Sequence, residues 1–372
     1  MTTRPQRSSR GAHTLPAEYY LSQEVFERET TRIFDSAWHL AGLTTNLAEP
    51  GDYFVADVER ENLIVLRDRD GRIRAFHNVC RHRGTRLCKE SGGKIRKNLV
   101  CPYHSWTYDL TGALVSAPNM SDVEGFDASE LPLQSVACEV WNGLVFVSFA
   151  PEPQPLAEAL PGLAASLSDW PLEQLVPVHR TEYEVDVNWK LVFQNYSECY
   201  HCPTLHPVLN RLTPYRDSDN DLEAGPVLGG PMYLAEGSKS MTMDGSACAP
   251  LLPGAETSSE GRLTVHYYVV FPTCFLSLMP DYALVHRIQR RGPLASTITC
   301  DWLFDREAAA APGFDPSGAI DFWDMTNRQD WEVCTLSQQG IGSRAYEPGP
   351  YSNLESMIAA FDREYLRALG DA

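Results

Sequence analysis

The spacing of apolar residues changes several times along this chain. Over residues 22–38 the apolar side chains recur at helical intervals, so we predict a helix there. Short apolar or alternating runs of strand length then follow one another. These predicted strands cover residues 53–58, 63–66, 73–76, 135–140 and 144–149. The first part of the chain is therefore predicted to consist mainly of short strands.

A proline-rich passage at residues 151–155 marks a change of pattern and is predicted to be a domain boundary. Helical and strand-like periods are mixed after it. The predicted helices are residues 156–167, 189–200, 322–338 and 354–369, and the predicted strands are residues 180–187, 263–278, 283–288 and 296–304. Residues 213–260 are rich in Gly, Pro, Ser and Asp, so we expect a long excursion over the surface or over a site.

Length and charge narrow the class of protein. The 372 residues, of which 43% are hydrophobic, suffice for two domains with a sizeable core. No run of about 18 apolar residues occurs, so we expect no transmembrane helix. The 31 basic and 49 acidic residues give a net charge of −18, which argues against nucleic acid and anionic membranes as partners. That charge suits a cationic substrate or a basic redox partner, and it equally serves plain solubility.

The N-terminus and the cysteines indicate a cytoplasmic protein. Met1 to Arg10 are polar and no apolar run follows them, so we predict a disordered tail rather than a secretory signal. The chain has ten cysteines without a secretory context. In a reducing compartment, cysteines are expected to be metal ligands or small core residues rather than disulfide partners.

Two short motifs each offer one thiolate and one imidazole. They are Cys80-x-His82 and Cys101-x-x-His104, with eighteen residues between them. When two irons share two sulfides, the two cysteines can hold one iron while the two histidines hold the other. Two Cys and two His suit a tetrahedral zinc ion as well. Apart from Cys199 and Cys202, the remaining cysteines lack such spacing and are predicted to be buried: Cys88, Cys138, Cys248, Cys274, Cys300 and Cys334.

These two Cys-His pairs together form the first metal-binding motif. A second metal-binding motif lies in the later part of the chain. His201 and His206 are five residues apart, and Glu198 stands three residues before the first of them. Iron(II) that activates oxygen is commonly held by two His and one carboxylate, with the other positions open. The motif predicts such a site, with a third ligand from elsewhere. Cys199 and Cys202 leave zinc open as an alternative.

The two motifs together resemble the α subunit of Rieske non-heme iron oxygenases. The resemblance extends from about Leu15 to the closing helices, and residues 195–202 are most similar to the branch of glycine betaine, choline, carnitine and stachydrine oxygenases. It implies an α+β fold, with a Rieske domain of small antiparallel β-sheets and a helix-grip catalytic domain with a curved antiparallel sheet. The expected domains are a tail and helix packing on the catalytic domain at 1–39, the Rieske domain at 40–150 and the catalytic domain at 151–372.

The resemblance also implies a role for each motif residue. The ligands of the [2Fe-2S] cluster are expected to be Cys80, His82, Cys101 and His104. His201 and His206 are expected to bind a mononuclear iron. Asp330 best matches the position of the third ligand, with Asp324 and Glu332 as competitors.

Glu198 is expected to be a bridge rather than a ligand. In the family a carboxylate at its position links one iron-binding histidine to a Rieske histidine of a neighbouring subunit, here His201 and His104. The family's commonest bridge is Asp. An acidic residue often stands four positions earlier, where this chain has Gln194.

The implied activity is that of a terminal oxygenase. It uses O2 and electrons from NAD(P)H, delivered by a separate flavin and iron-sulfur reductase. The resemblance also implies a homotrimer. The expected reaction is hydroxylation of an N-methyl group of a quaternary ammonium compound, which then loses formaldehyde. The alternatives are hydroxylation of an aromatic ring or acid, a Rieske electron carrier, and a purely structural metal. No nucleic acid and no membrane are expected as partners.

A permanent cation would lie over aromatic faces. Six aromatic residues are candidates for this role, although they lie on strand-like segments and core packing is the alternative for each. They are Tyr267, Tyr268, Phe271, Phe275, Tyr282 and Trp302.

Overall fold

The computed structural model describes residues 11–255, 257 and 261–371. They form two compact units, one from Asp35 to Leu156 and the other from the described residues on either side of it. These limits lie about five residues outside the predicted limits of 40 and 150. The predicted tail, Met1 to Arg10, falls outside the described residues. No helix in the described part is long and apolar enough to cross a bilayer.

The unit from Asp35 to Leu156 is built from antiparallel strands. Their bounds are β1 His39–Leu43, β2 Asp52–Val58, β3 Glu61–Arg67, β4 Ile73–His77, β5 Gly92–Lys94, β6 Leu99–Val100, β7 Thr107–Tyr108, β8 Leu114–Ser116, β9 Ser135–Trp141 and β10 Leu144–Ser148. One sheet has the order β1-β10-β9-β4-β3-β2-β5 and a small one the order β6-β7-β8. Strand β3 is apolar on both faces because alternate residues enter two different hydrophobic clusters, Leu63 in one and Ile64 in the other.

The second unit combines helices with a sheet of six strands. The helices of the chain are α1 Glu18–Leu21, α2 Gln23–Glu29, α3 Leu156–Ala159, α4 Pro161–Leu167, α5 Trp189–Tyr196, α6 Cys202–Leu205, α7 Pro207–Leu212, α8 Arg306–Ala310, α9 Ser317–Ile341 and α10 Ser356–Leu369. The strands are β11 Leu175–Val185, β12 Val227–Tyr233, β13 Thr264–Val270, β14 Cys274–Leu278, β15 Tyr282–Gly292 and β16 Ala295–Asp305.

These six strands form one curved antiparallel sheet in the order β11-β16-β15-β14-β13-β12. The long helix α9 packs against α5 and β11. The predicted fold class is confirmed, with small antiparallel sheets in one unit and a curved antiparallel sheet with helices in the other.

Buried polar contacts join helices α5 and α9. The side chain of Asn188 caps α5 by accepting the N–H of Lys190 at 3.0 Å. The backbone N–H of Asn188 donates to Oε1 of Gln338 on α9 at 2.8 Å. Asn188 and Gln338 are both buried, so losing this bond would leave polar groups unpaired. The start of α5 is thereby tied to α9.

Several predicted elements differ from the structure. The predicted helix 156–167 is divided into α3 and α4, and the predicted strand 263–278 is divided into β13 and β14. The predicted helix 189–200 ends at Tyr196, because the carboxylate of Glu198 accepts the backbone N–H groups of Tyr200 and His201 that a longer helix would use. The predicted helix 22–38 ends at Phe34, after a π-helical turn at Thr30–Phe34. The excursion at 213–260 contains strand β12, whose Gly-Gly-Pro sequence hid it. At Gly229, with φ of 146°, a Cβ atom would lie 1.9 Å from the carbonyl oxygen of Tyr267.

Two candidate metal centres

The first motif forms two similar loops. The amide of Gly84 donates to the carbonyl of Cys80, and the amide of Ser105 donates to the carbonyl of Cys101, both at 3.0 Å. Gly84 and Ser105 have positive φ, 76° and 60°. Each loop thus turns back on its own cysteine through one residue in the left-handed region. Both cysteines are 2% exposed.

The two histidines of these loops face each other at the surface. Nδ1 of His82 lies 3.1 Å from Nδ1 of His104, and both residues are exposed. The ring of His82 stacks on Trp106 at 4.8 Å, and the ring of His104 stacks on Tyr103 at 3.7 Å. The thiols are therefore inside and the imidazoles outside, with aromatic rings holding the imidazoles in place.

Tyr108 supports the buried side of this centre, and sequence reasoning missed it. Its hydroxyl accepts the N–H of Arg81 at 3.0 Å and lies 3.4 Å from Sγ of Cys80. Burial raises the pKa of Tyr108, so the hydroxyl keeps its proton and can donate to the sulfur. The only signal in the sequence is its position two residues after Trp106.

The arrangement fits a two-iron cluster better than a zinc ion. A tetrahedral zinc site would bring its four ligand atoms within about 4 Å of one another. Among the described residues, the ligand atoms of Cys80, His82, Cys101 and His104 do not form a set within 4.8 Å. A buried thiol side and a separate imidazole side are what a cluster with one iron on each side requires.

The second motif comes together with a residue from α9. Nε2 of His206 lies 2.8 Å from Oδ1 of Asp330, and Nε2 of His201 lies 3.4 Å from the same oxygen. The three ligand atoms lie within 4.8 Å of one another. Two imidazoles and one carboxylate, grouped so closely, form a set that fits a single Fe(II) ion.

The other ring nitrogen of each histidine is also engaged. Nδ1 of His201 donates to Glu198 at 2.5 Å, and Nδ1 of His206 donates to the side-chain oxygen of Gln329 at 2.7 Å. These bonds place the proton on Nδ1 and leave Nε2 free to face a metal. The role of Gln329 was missed from the sequence, where its only signal is its position next to Asp330.

The competitors of Asp330 are engaged elsewhere. Asp324 accepts the hydroxyl of Tyr183 and Nε of Arg328, both at 2.8 Å, and Glu332 is exposed. Neither belongs to the set of grouped ligand atoms. Of the three candidate carboxylates, Asp330 is the one that reaches both histidines.

The charges of the second centre are strongly coupled. Burial lowers the pKa of His201, but the hydrogen bonds that its ring donates to Asp330 and Glu198 outweigh burial and raise this pKa to about 10. Burial raises the pKa of Asp330, but the two histidines outweigh it and bring the pKa below its ordinary value. A carboxylate that stays ionised beside two imidazoles has the charge that a divalent cation requires.

Cys199 and Cys202 form a disulfide, with their Cα atoms 5.0 Å apart. The expectation that no cysteine is a disulfide partner is therefore wrong. The physical reason is local, because a turn places these two residues on one side of the loop around His201. The pairing also removes both thiolates as ligands for the zinc alternative at this motif. The other described cysteines are free thiols.

A cavity opens onto the second centre, with about 1010 Å³ of space including its mouth. Its walls include the three grouped ligand residues, the acidic side chains of Glu198 and Asp219, and no Lys or Arg among the described residues. Of the six candidate aromatic residues, only Tyr267 belongs to the walls. The others, Tyr268, Phe271, Phe275, Tyr282 and Trp302, are buried in the core. Tyr196, Tyr215 and Trp323 line the cavity and were not predicted.

Comparisons with known proteins agree with this geometry. Residues 37–127 match the family model of the Rieske [2Fe-2S] domain, and residues 172–371 match that of the ring hydroxylating alpha subunit (catalytic domain). The glycine betaine monooxygenase oxygenase subunit of Chromohalobacter salexigens is 35% identical over 93% of this chain and 83% of its own length. The carnitine monooxygenase oxygenase subunit of Acinetobacter baumannii is 37% identical over 53% of each chain.

Solved structures show the same fold. A quaternary ammonium Rieske monooxygenase in complex with an inhibitor superposes with a TM-score of 0.83 and 25% identity, covering 99% of both chains. Naphthalene 1,2-dioxygenase from Rhodococcus sp., at 20% identity, has a TM-score of 0.77 over 96% of this chain and 94% of its own. With both domain models matched and a full-length relative above 30% identity, the chain belongs to the Rieske non-heme iron oxygenases, as an α subunit that carries a Rieske [2Fe-2S] domain and a ring-hydroxylating catalytic domain.

Proposed function

We propose that this chain is the terminal oxygenase component of a system that N-demethylates a quaternary ammonium compound. The observation that carries the proposal is the cavity beside His201, His206 and Asp330. Its walls hold carboxylates and aromatic faces and, in the described part, no Lys or Arg. A permanent cation gains from such walls, and an anion does not.

Seven residues are proposed to hold the two metal groups. Cys80, His82, Cys101 and His104 would hold the [2Fe-2S] cluster, and His201, His206 and Asp330 would hold the mononuclear Fe(II). When bound, these groups supply single electrons and activate O2. The residues of the chain orient the substrate, fix the protons on the imidazoles and line the cavity.

Glu198 is proposed to connect the two kinds of centre between protomers. One of its carboxylate oxygens accepts Nδ1–H of His201. A carboxylate has lone pairs for a second imidazole, which would be His104 of the partner subunit in a homotrimer. The electrons would come from NAD(P)H through a separate flavin and iron-sulfur reductase, in the cytoplasm.

The aromatic walls are proposed to bind the trimethylammonium group. The rings of Tyr267 and Trp323 lie 6.2 Å apart at 66°, and the rings of Tyr196 and Tyr267 lie 6.2 Å apart at 77°. Tyr196 is held by stacking on Phe275 at 4.0 Å. Differently oriented faces around one space can each attract the same cation.

The products follow from the chemistry of nitrogen. Hydroxylation of an N-methyl group gives a carbinol on a positively charged nitrogen. Its hydroxyl then loses a proton to water and its C–N bond breaks with the electron pair going to nitrogen, so that formaldehyde and a tertiary amine leave. Glycine betaine and stachydrine are substrates of this kind. An aromatic acid, the competing substrate, carries no cation that the carboxylates of Glu198 and Asp219 and the aromatic faces of the cavity could attract.

The test is formaldehyde release with a matched reductase, NADH and a panel of substrates. We expect formaldehyde in proportion to NADH consumed for at least one betaine. An analogue with a tert-butyl group in place of the trimethylammonium group is the matched control, because it keeps the shape and removes the charge. Hydroxylation of the analogue at the same rate, measured as its stable alcohol because no C–C bond breaks to release formaldehyde, would contradict the proposal, and so would NADH consumption giving only peroxide with every betaine.

A further inference from the structure

The disulfide between Cys199 and Cys202 closes the turn that carries His201. The N–H of Cys202 donates to the carbonyl of Cys199 at 3.2 Å, so one backbone bond and one covalent bond close the same four residues. His201 is the third residue of this turn. Without the covalent bond, the turn would depend on that single backbone bond and on the contacts of Glu198.

This turn is connected to both histidines of the second centre. The carbonyl of Cys202 accepts the N–H of His206 at 2.9 Å. The carboxylate of Glu198 accepts the ring Nδ1–H of His201 at 2.5 Å and its backbone N–H at 3.3 Å. A change in the turn therefore changes the positions from which both imidazoles reach Asp330.

The cysteine pair is also accessible to small oxidants. Cys199 and Cys202 both line the cavity that leads to the second centre. Cys199 is half-buried, whereas Cys202 is 3% exposed. Disulfides of proteins in a reducing compartment are usually transient and serve catalysis or redox sensing. Two cysteines that lie within bonding distance allow one to resolve the oxidised form of the other.

We propose that Cys199 and Cys202 are a redox-sensitive clasp that sets how firmly His201 holds its metal. Hydrogen peroxide, the two-electron reduction product of O2, is the oxidant. The two thiols lose two electrons and two protons as the S–S bond forms, and the O–O bond of peroxide breaks to give two waters. Closing the turn restricts the loop before metal binds, so the disulfide form retains Fe(II) more firmly. The inference rests on the proposed role of His201 as an iron ligand.

The test compares one wild-type preparation in two redox states. Protein treated with one equivalent of peroxide, or with a phosphine reductant, is freed of mononuclear iron and titrated anaerobically with Fe(II) against a ferrous chelator. We expect the dissociation constant for Fe(II) to be about tenfold lower in the oxidised form. Peptide mapping should find the link between Cys199 and Cys202 after peroxide and free thiols after reduction. The visible absorption of the cluster checks that the cluster survives both treatments.

The Cys199→Ser, Cys202→Ser double variant should bind Fe(II) like the reduced wild type and ignore both treatments. Cys138→Ser, Cys248→Ser is the matched control, and it should respond as the wild type does. Equal Fe(II) affinity of the two wild-type forms, or no mapped link after peroxide, would overturn the clasp. Absence of Fe(II) binding in both forms would instead overturn the iron site and, with it, the proposed function.

Discussion

The two candidate metal centres place their histidines in opposite surroundings. In the unit from Asp35 to Leu156, His82 and His104 are exposed while the two cysteines are buried. In the other unit, His206 is 2% exposed, and the side chains of His201 and Asp330 are 21% and 15% exposed at the end of a cavity. One centre presents its imidazoles to the surface, and the other turns them inwards.

This difference matches two kinds of chemistry. A group that passes electrons needs an edge that another protein or subunit can approach. A group that oxidises a bound molecule needs walls that hold the molecule and limit water. Nδ1–H of His201 donates to Glu198 and Nδ1–H of His206 donates to Gln329. The rings of His82 and His104 are held by stacking instead.

The largest expected effect is the loss of the mononuclear iron, with the cluster intact, when one ligand of that iron is removed. Asp330→Ala should abolish mononuclear iron binding and lower turnover by at least about a thousandfold, because a metal site supplies several kcal/mol of catalysis. The absorption spectrum of the cluster should stay unchanged. Iron analysis and turnover are the measurements.

Asp324→Ala is the control, since that carboxylate contacts Tyr183 and Arg328 instead. It should keep its iron. Cys101→Ala is the converse variant, and it should lose the cluster spectrum but still bind one Fe(II). Loss of both groups in either single variant would show that the centres are not independent.

The second prediction concerns the link between the centres. Glu198→Gln keeps an oxygen that can accept from Nδ1 of His201 but loses one acceptor and the charge. With both centres fully loaded, turnover with the reductase should fall by about 10- to 100-fold. Undiminished turnover at full iron content would show that Glu198 is no bridge. Electron transfer from the pre-reduced cluster, followed by its absorption, locates the step that slows.

The third prediction concerns the inward-facing histidine. Gln329→Leu removes the acceptor for Nδ1–H of His206, so the ring loses its fixed orientation. The affinity for Fe(II) should fall by about 10- to 100-fold while the cluster is unaffected. Gln339→Leu is the matched control, because Gln339 is exposed on the same helix. If both variants bind Fe(II) equally well, the hydrogen bond to Gln329 does not orient the ring.

The smallest expected effect is a difference in pH dependence between the units. Asp68, in β-rich surroundings, and Asp362, on α10, are both buried. Burial raises the pKa of Asp68, but Arg74 and backbone amides outweigh burial and lower it. Burial raises the pKa of Asp362 to about 6, against hydrogen bonds from Tyr351 and Gln194.

The two carboxylates change the stability of their units in opposite directions as the pH falls. The stabilisation from Asp68 is complete above the unfolded pKa of about 3.9 and is lost as the pH falls through its folded pKa. For Asp362 the folded state binds its proton more tightly than the unfolded chain. Its cost is complete above pH 6 and disappears as the pH falls from about 6 to about 4.

Hydrogen exchange of amides in β3 and β15 measures the stability of each unit separately. Asp362→Asn should flatten the pH dependence in the β15 unit between pH 4 and 6, and Asp68→Asn should flatten that in the β3 unit below pH 4. For Asp362 the change should be about 3 kcal/mol over its window. Unchanged slopes in both variants would show that neither carboxylate is coupled to folding.

Much of the site could be predicted because its spacing is short and its residue types are rare. Cys80-x-His82 and Cys101-x-x-His104 indicate a metal whatever the fold, and the second histidine pair does the same. Asp330, however, approaches His206 from more than a hundred residues away, so only resemblance could single it out. Gln329 and Tyr108 act through contacts that no local pattern encodes.

The errors in the fold have physical causes as well. The apolar period of α5 continues beyond Tyr196, but the carboxylate of Glu198 accepts the backbone N–H groups that a longer helix would use. Pro203 instead lies in the first turn of a new helix, α6. Strand β12 contains two glycines and a proline, so its residues carry no strand signal. Its place is set by the close approach of Tyr267 to Gly229, which is a contact made in three dimensions.

The bond between Asn188 and Gln338 has a practical consequence for altering this protein. It joins α5, which precedes the two metal-binding histidines, to α9, which carries Asp330. Part of the substrate-facing wall belongs instead to separate strands, β12 and β13. Wall positions such as Tyr267 could therefore be varied in a library to accept bulkier amines without disturbing the framework that holds the reactive centre.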